Sequence, residues 1–509
     1  MVIGLPREGL SPAWEKDFAA YPPAGVIVFG RDFADLDDLR RLTRHLRQLA
    51  RPRRIFIAID EEGGFVSQLG PHLTVPPAAF LLARGAAPGD LEFVSRVTGE
   101  RLRALGVDWV FAPVADIHSE PRNPVIGPRS YGATAALVSS RLGEVLAGFR
   151  AAGIASCLKH FPGHGDTLVD SHLALPRCDA DLATLEAREL VPFRDHLDAD
   201  AIMSAHLVVP ALDPSARPGT FSRPIVHELL RERLGFAGVC ITDALEMKGA
   251  SEGRDPADTG RLALEAGCDL LLYAFHDEAL RRVRLSLAKL LTDGALDRTQ
   301  FDAARPRLQA FDALTKEPSE DELTRPLESL TPPDWNARLE AIVERGIVTR
   351  GTLPASQGAW TIREPEYAYG QTLREMLADE GLALAAGVAG DGGAAALGSA
   401  APAGRVDATV LGGAAPAGRV DATVLGSAAP AGRVGASHIE VIASRVPLPA
   451  AELARLQARC AAGPTVVVAL QADDCLDQLG DAALRISACD PTPLTRRIIA
   501  RRIATAARG

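Results

Sequence analysis

Eight short, almost continuously apolar runs recur through the first half of the chain, and their number and spacing restrict its fold more than any other feature. They are VIGL (2–5), GVIVF (25–29), IFIAI (55–59), WVFAPV (109–114), IASCL (154–158), AIMSAH (201–206), GVCIT (238–242) and LLLYA (270–274). A strand covered on both faces loses the alternation of a half-exposed strand and reads as such a run. Between most of them lie helical patterns, among them DLDDLRRLTRHLRQLA and TAALVSSRLGEVLAGFRAAG. Eight strands with intervening helices predict an α/β fold, a (β/α)8 barrel of the TIM type; a doubly wound open sheet is the competing arrangement.

The chain has 509 residues, more than one ordinary core accommodates. TKEPSEDELTRPLESLTPPDW (315–335), rich in proline and charge, reads as a linker. It separates a barrel over 1–314 from a smaller α/β domain over 336–509, where ARLEAIVERGIVTR looks helical and PTVVVAL (464–470) looks like a buried strand. Inside the second domain AAPAGRVDATVLG occurs at 400–412 and again at 414–426, and AAPAGRV starts once more at 428. This Ala/Gly/Pro tract, at about 399–434, lacks the packing pattern of a solenoid and reads as a low-complexity insertion without a role in chemistry.

Composition narrows the partners. With 55 basic and 65 acidic residues the net charge is −10, which argues against nucleic acid. The opening MVIGLPREGLSPAWEKDF does not read as a signal peptide, and no apolar run is long enough for a membrane span. Seven scattered cysteines, without a C-x-x-C, suit a reduced, cytoplasmic setting.

The polar residues that follow the strands are more informative. Asp60 follows the third run, Asp116 the fourth, Lys159 and His160 the fifth; His206 closes the sixth, and Asp243 follows the seventh. In a barrel such positions gather at the C-terminal face, where active sites sit. No phosphate-cradling glycine motif accompanies them. Carboxylates that accept from hydroxyls, beside cations that donate to oxygens, suit a polar neutral molecule such as a sugar.

At this point four motifs carry a resemblance. IDEEGG, NPVIGPRSYG, KHFPGHGDTLVDSH and ITDALEM stand in the order, and over roughly residues 1–310, in which they resemble glycoside hydrolase family 3. They are most similar to its bacterial β-N-acetylglucosaminidase (β-N-acetylhexosaminidase) branch, which acts in cell-wall recycling. The resemblance implies a retaining mechanism on β-linked N-acetylglucosamine, with muropeptide fragments as substrate. It implies Asp243 as nucleophile, His172 as general acid/base and Asp170 as its partner. The sugar would be bound by Asp60, Arg129, Lys159 and His160, to which the strand-end position adds His206. An arginine usual two residues beyond the D-x-E-G-G-x-V pattern is replaced by Gln68, which keeps hydrogen bonding and gives up a charge. No cofactor and no metal are expected.

In chemical terms, a retaining glycosidase needs a carboxylate nucleophile and a second group to protonate the leaving oxygen. Histidine is an unusual choice for the second, but it titrates near neutrality, and a neighbouring aspartate can orient it. Other readings remain at this level. The acceptor could be phosphate, the sugar glucose, or the protein a sugar binder without catalysis. The spacing of His160, His164, Asp166, Asp170 and His172 also admits a metal-dependent hydrolase, although it matches no helix face. No residue beyond 335 is expected to take part in chemistry.

Overall fold

The computed structural model describes residues 1–508 except 277, 297, 352–359, 366, 368, 386–436, 445–447, 464, 472–475 and 480–482. The Ala/Gly/Pro repeats therefore lie outside the described residues.

All eight runs become parallel strands: β1 (Val2–Ile3), β2 (Gly25–Val28), β3 (Phe56–Ile59), β4 (Trp109–Val110), β5 (Cys157–Phe161), β6 (Ala201–Ser204), β7 (Val239–Ala244) and β8 (Leu270–Tyr273). They are ordered β4-β3-β2-β1-β8-β7-β6-β5. Bridges Trp109↔Ala155 and Val114↔Lys159 join β4 to the β5 segment and close the barrel. Helices cover the outside. One spans Leu36–Ala50 behind Asp35, whose carboxylate accepts the Asp38 N–H at 2.7 Å. Another spans Ala135–Ala152 behind Thr134. Both begin at the side-chain oxygen that satisfies an otherwise orphaned first-turn amide.

The rim opposite the strand ends named above is closed by a repeated device. An aspartate stands immediately before each of β4, β6 and β8, and accepts a backbone N–H at the start of the preceding strand's segment. Asp108 takes Ile57 at 2.7 Å, Asp200 takes Ser156 at 2.8 Å, and Asp269 takes Cys240 at 2.9 Å. Arginines from the outer helices complete two of these: Arg47 on Asp108 at 2.8 Å, and Arg231 and Arg307 on Asp269, each at 2.6 Å. Burial pushes the Asp108 carboxyl up, against the Arg47 charge and the Ile57 amide, so its ionised form depends on those partners.

The chain divides into two compact units: 1–62, 89–120 and 130–333 in the first, and 63–88, 121–129 and 334–509 in the second. Residues 315–333 carry a helical turn at Glu320–Leu323 and a 3-10 turn at Leu327–Leu330. The second unit is built on a five-stranded sheet of β9 (Val348–Arg350), β10 (Trp360–Arg363), β11 (Ser437–Ile442), β12 (Thr465–Ala469) and β13 (Ala483–Ser487). Its order is β9-β13-β12-β11-β10, parallel except for β9. Val467, Ala469 and Ile442 pack with Leu456 and Cys460 of the helix Ala450–Ala462. Segment 63–88 is tied into this unit by the Asp490 carboxylate, which accepts Ala78 N–H at 2.8 Å, and by Arg84, which donates to Ser487 O at 3.0 Å. No helix among the described residues is long and apolar enough to cross a membrane.

Asp108 is fully buried with its guanidinium partner, so Asp108→Ala strands a buried charge and an amide. The substitution should lower unfolding free energy by about 3–5 kcal/mol, read by chemical denaturation. A loss below about 1 kcal/mol would show that the rim does not depend on this contact.

Candidate active site

The C-terminal ends of β3 to β7 bring the strand-end residues to one face. Four histidines (His160, His164, His172 and His206), Asp116, Asp170 and Lys159 come from the β4, β5 and β6 exits and from the long loop after β5.

Asp116, just past β4, organises this face. Its carboxylate is fully enclosed and accepts His160 N–H at 3.1 Å, His164 N–H at 2.6 Å and a bond from His160 Nδ1 at 2.6 Å. Burial alone would raise its pKa, but His160, His164 and the amides outweigh it and hold the group below the usual carboxylate range. With His160 Nδ1 engaged, Nε2 is the ring atom left to face a substrate.

The loop after β5 is folded tightly for stated reasons. A side chain at Gly165 would place its Cβ 1.8 Å from the Ile117 carbonyl oxygen, so only glycine permits the approach. Gly163 has φ of +124°, and a Cβ there would meet Glu189 at 2.8 Å. Glu189 is buried, which pushes it up to about 7 despite Arg188, whose Nε donates to it at 2.7 Å, and Ser119, which donates at 3.1 Å. Arg188 also pairs with Asp166.

Within the loop His164 ties the middle to the end. The Thr167 hydroxyl donates to the His164 carbonyl at 3.1 Å, so His164 Nδ1–H donates to Thr167 Oγ1 at 2.9 Å and Nε2 accepts from Ser171 at 3.2 Å. The ring is neutral, because burial pushes it down to about 4. The Ser171 carbonyl accepts Gly249 N–H at 2.9 Å, which fastens the loop to the β7 exit.

The neighbouring residues form the dyad. Asp170 Oδ1 accepts His172 N–H at 2.9 Å and binds His172 Nδ1 at 2.8 Å. Burial opposes the Asp170 charge, yet the bond to His172, its ring and its amide hold the carboxyl below its ordinary value. Nδ1 is thereby committed, and Nε2 of the half-buried ring is the atom that can exchange a proton with a ligand.

Asp243 sits at the end of β7, where Oδ1 accepts Ala244 N–H at 2.8 Å. Burial works against its charge, but His160, His206 and His172, in that order, and the Ala244 amide hold its pKa below the ordinary range. His206 is itself committed inside the protein: Nε2 donates to the Ala244 carbonyl at 3.0 Å and Nδ1 meets Thr220 Oγ1 at 2.9 Å. Burial lowers its pKa, and with both nitrogens taken inside the protein it offers no free nitrogen to a sugar.

Lys159 bridges two buried carboxylates, Asp60 at 2.7 Å and Glu62 at 2.6 Å. Burial raises Asp60, against Lys159 and together with the charges of Glu62 and Asp243. Asp60, Lys159, His160, Asp170, His172, His206 and Asp243 thus belong to one compact unit. Gln68 and Arg129 belong to the other, in which Gln68 is buried and Arg129 Nη1 donates to Val125 O at 3.3 Å. Sequence reasoning passes over Glu62, Ser171 and Glu246, and weighs His164 only as a possible metal ligand. Glu62 had a signal, lying two residues from Asp60; burial pushes Glu246, three residues beyond Asp243, up to about 7. Among the described residues, no three of ligand type gather as a metal site would require.

Residues 11–311 match the glycosyl hydrolase family 3 N-terminal domain, and the chain belongs to this family of glycoside hydrolases. It is 33% identical over 385 residues to a β-hexosaminidase A of Pseudoalteromonas piscicida, an alignment covering 69% of the chain and 64% of that protein. It is 40% identical over 273 residues to a β-hexosaminidase of Methylococcus capsulatus, covering 52% of the chain and 80% of that protein. Among solved structures it is similar to a family 3 β-N-acetylglucosaminidase from Paenibacillus sp. str. FPU-7, with a TM-score of 0.80 and 27% identity over 99% of the chain and 95% of that one.

His164 also sets a pH dependence. Its folded value of about 4 lies below the ordinary 6.5, so the unfolded chain binds the extra proton and stability falls as pH drops through that window. Chemical denaturation of His164→Gln at pH 7 and 4.5 should show a loss smaller than wild type by about 2–3 kcal/mol. Identical pH dependence would place the titration elsewhere.

Proposed function

We propose that the protein is a retaining, exo-acting glycosidase that removes β-linked N-acetylglucosamine, with Asp243 as nucleophile, His172 as general acid/base and Asp170 as its orienting partner. One observation carries this reading: the Asp243 carboxylate at a strand end is held ionised against burial by the imidazoles of His160, His206 and His172, and the half-buried His172 has Nδ1 committed to Asp170 and Nε2 available.

In the first step Asp243 attacks the anomeric carbon. The new carbon–oxygen bond forms as the glycosidic bond breaks, and His172 Nε2 gives its proton to the departing oxygen. In the second step the neutral imidazole takes a proton from water. The hydroxide oxygen bonds to the anomeric carbon, the ester to Asp243 breaks, and His172 is again protonated. Asp170 stabilises the charged ring in both directions. Asp60 accepts from sugar hydroxyls, while Lys159 holds it ionised and donates alongside it; His160 Nε2 completes this wall. Arg129 and Gln68 are assigned to the sugar by the family resemblance.

The preference for N-acetylglucosamine rests on the relatives named β-hexosaminidase and β-N-acetylglucosaminidase. We infer that the substrates are small cell-wall fragments, N-acetylglucosaminyl muropeptides, met in the cytoplasm. The six cysteines among the described residues are free and buried, which suits that compartment. Chemistry is assigned to the barrel alone, with the second domain serving stability or assembly.

A fluorinated sugar inactivator should label Asp243 covalently, and Asp243→Asn should lower turnover of an aryl N-acetylglucosaminide by roughly a thousandfold or more without unfolding. A label on Asp60 or Asp116 would overturn the assignment. Adding phosphate to the assay separates hydrolysis from phosphorolysis, since only the latter yields sugar phosphate.

His172→Ala should slow substrates with basic leaving groups far more than activated aryl glycosides, because protonation matters most for a basic leaving oxygen. Asp170→Asn should show a weaker form of the same pattern. Equal slowing of all substrates would make His172 a binding residue.

A further inference from the structure

The tip of the loop that carries the dyad presents two apolar side chains to the outside. Leu168 is 55% exposed and Val169 39%. The other exposed large apolar side chains among the described residues, Tyr21, Leu137, Leu182, Leu285 and Leu314, stand singly. Isolated exposed apolar residues are ordinary, but an adjacent pair is costly to leave in water.

Their exposure does not come from a slack loop. Thr167, directly before them, is buried on His164, and Asp170, directly after them, is bonded to His172. Ser171 is held by His164 and by the Gly249 amide. The pair is therefore presented outward by anchored neighbours on both sides. Val169 and Leu168 precede His172 by three and four residues, a chain distance of at most about 10–14 Å. An acid must come within about 3 Å of the oxygen it protonates. Whatever is attached to that oxygen is thereby brought to the same end of the loop.

We propose that Leu168 and Val169 form the apolar wall against which the departing part of the substrate rests, and that they select leaving groups with a C–H-rich face, such as a second pyranose ring or an alkyl ether. The proposal depends on His172 being the acid that protonates the leaving oxygen. The wall contributes nothing to the N-acetylglucosamine ring itself, which the strand-end residues hold. It carries no charge, so it discriminates by apolar area rather than by ionic groups.

The test compares kcat/KM of wild type and of a Leu168→Ser, Val169→Thr double variant on three substrates. N-acetylglucosaminyl β-fluoride has a leaving group with no body; the β-linked disaccharide of N-acetylglucosamine has a pyranose; octyl β-N-acetylglucosaminide has an alkyl chain. The double variant should lose about tenfold on the disaccharide and the octyl glycoside, equivalent to about 1.4 kcal/mol, and stay within about twofold on the fluoride. Leu168→Met with Val169→Ile should restore the lost activity. An equal loss on all three substrates would show that the pair only shapes the loop, and no loss on either large substrate would show that the wall is not used; each result overturns the proposal. Failure of wild type to turn over the fluoride at all would instead overturn the glycosidase reading on which it rests.

Discussion

The site depends on the Asp116 carboxylate. It sits at the exit of β4, yet two of the three groups it binds are backbone amides of the next strand and the loop beyond it, His160 in β5 and His164 after it. A single buried charge therefore fixes the end of β5 and the start of the loop after it. Its charge is tolerable because the donors surround it, two of them from the peptide chain and one from an imidazole. The glycines at 163 and 165 allow the loop to come that close, and His164, fixed at its amide by Asp116, then reaches forward to Thr167 and Ser171. The position of His172 follows from this sequence of contacts.

The two carboxylates with assigned chemical roles are held ionised in different ways. Asp170 is held by direct bonds to one residue, His172, through ring and amide. Asp243 is held mainly by the summed influence of His160, His206 and His172, with one amide. The second arrangement suits the nucleophile role proposed for Asp243, since a carboxylate tied up by more direct hydrogen bonds would be a poorer nucleophile. Asp60 goes the opposite way: burial and two like charges raise it, and the Lys159 ammonium is what opposes them.

Much of this was legible in the sequence, and the exceptions have physical causes. Parallel strands buried on both faces read as apolar runs, so all eight were visible. Their limits were less so. The run at 154–158 shifts to Cys157–Phe161 because Lys159 and His160 lie within the strand, and hydropathy cannot assign polar residues to a strand interior. The run at 109–114 keeps Trp109–Val110 as a strand and pairs again only at Val114, just past Pro113, which has no amide to donate. The dyad was readable from its motif, but the ties that hold it were not. Several of those ties end on backbone groups, the His160 and His164 amides on Asp116 and the Gly249 amide on the Ser171 carbonyl, and backbone geometry leaves no residue-type signature. Strand-end position suggested sugar contact for His206, whereas its two nitrogens turn out to be taken by Ala244 and Thr220. Nothing in hydropathy marks 63–88 as a partner of the C-terminal sheet; Asp490 and Arg84 form that tie across hundreds of residues.

The three aspartates at the opposite rim have a consequence for how such a chain can change. Each joins an even strand to the odd strand before it, so β3 with β4, β5 with β6 and β7 with β8 form fastened pairs, and the fastening lies at the far end of each strand from the chemistry. Lengthening or replacing a loop at the catalytic end leaves these clasps untouched. The barrel can thus hold its closure constant while its mouth is rewritten, because the clasps fasten strands in pairs at the end away from the loops that would change.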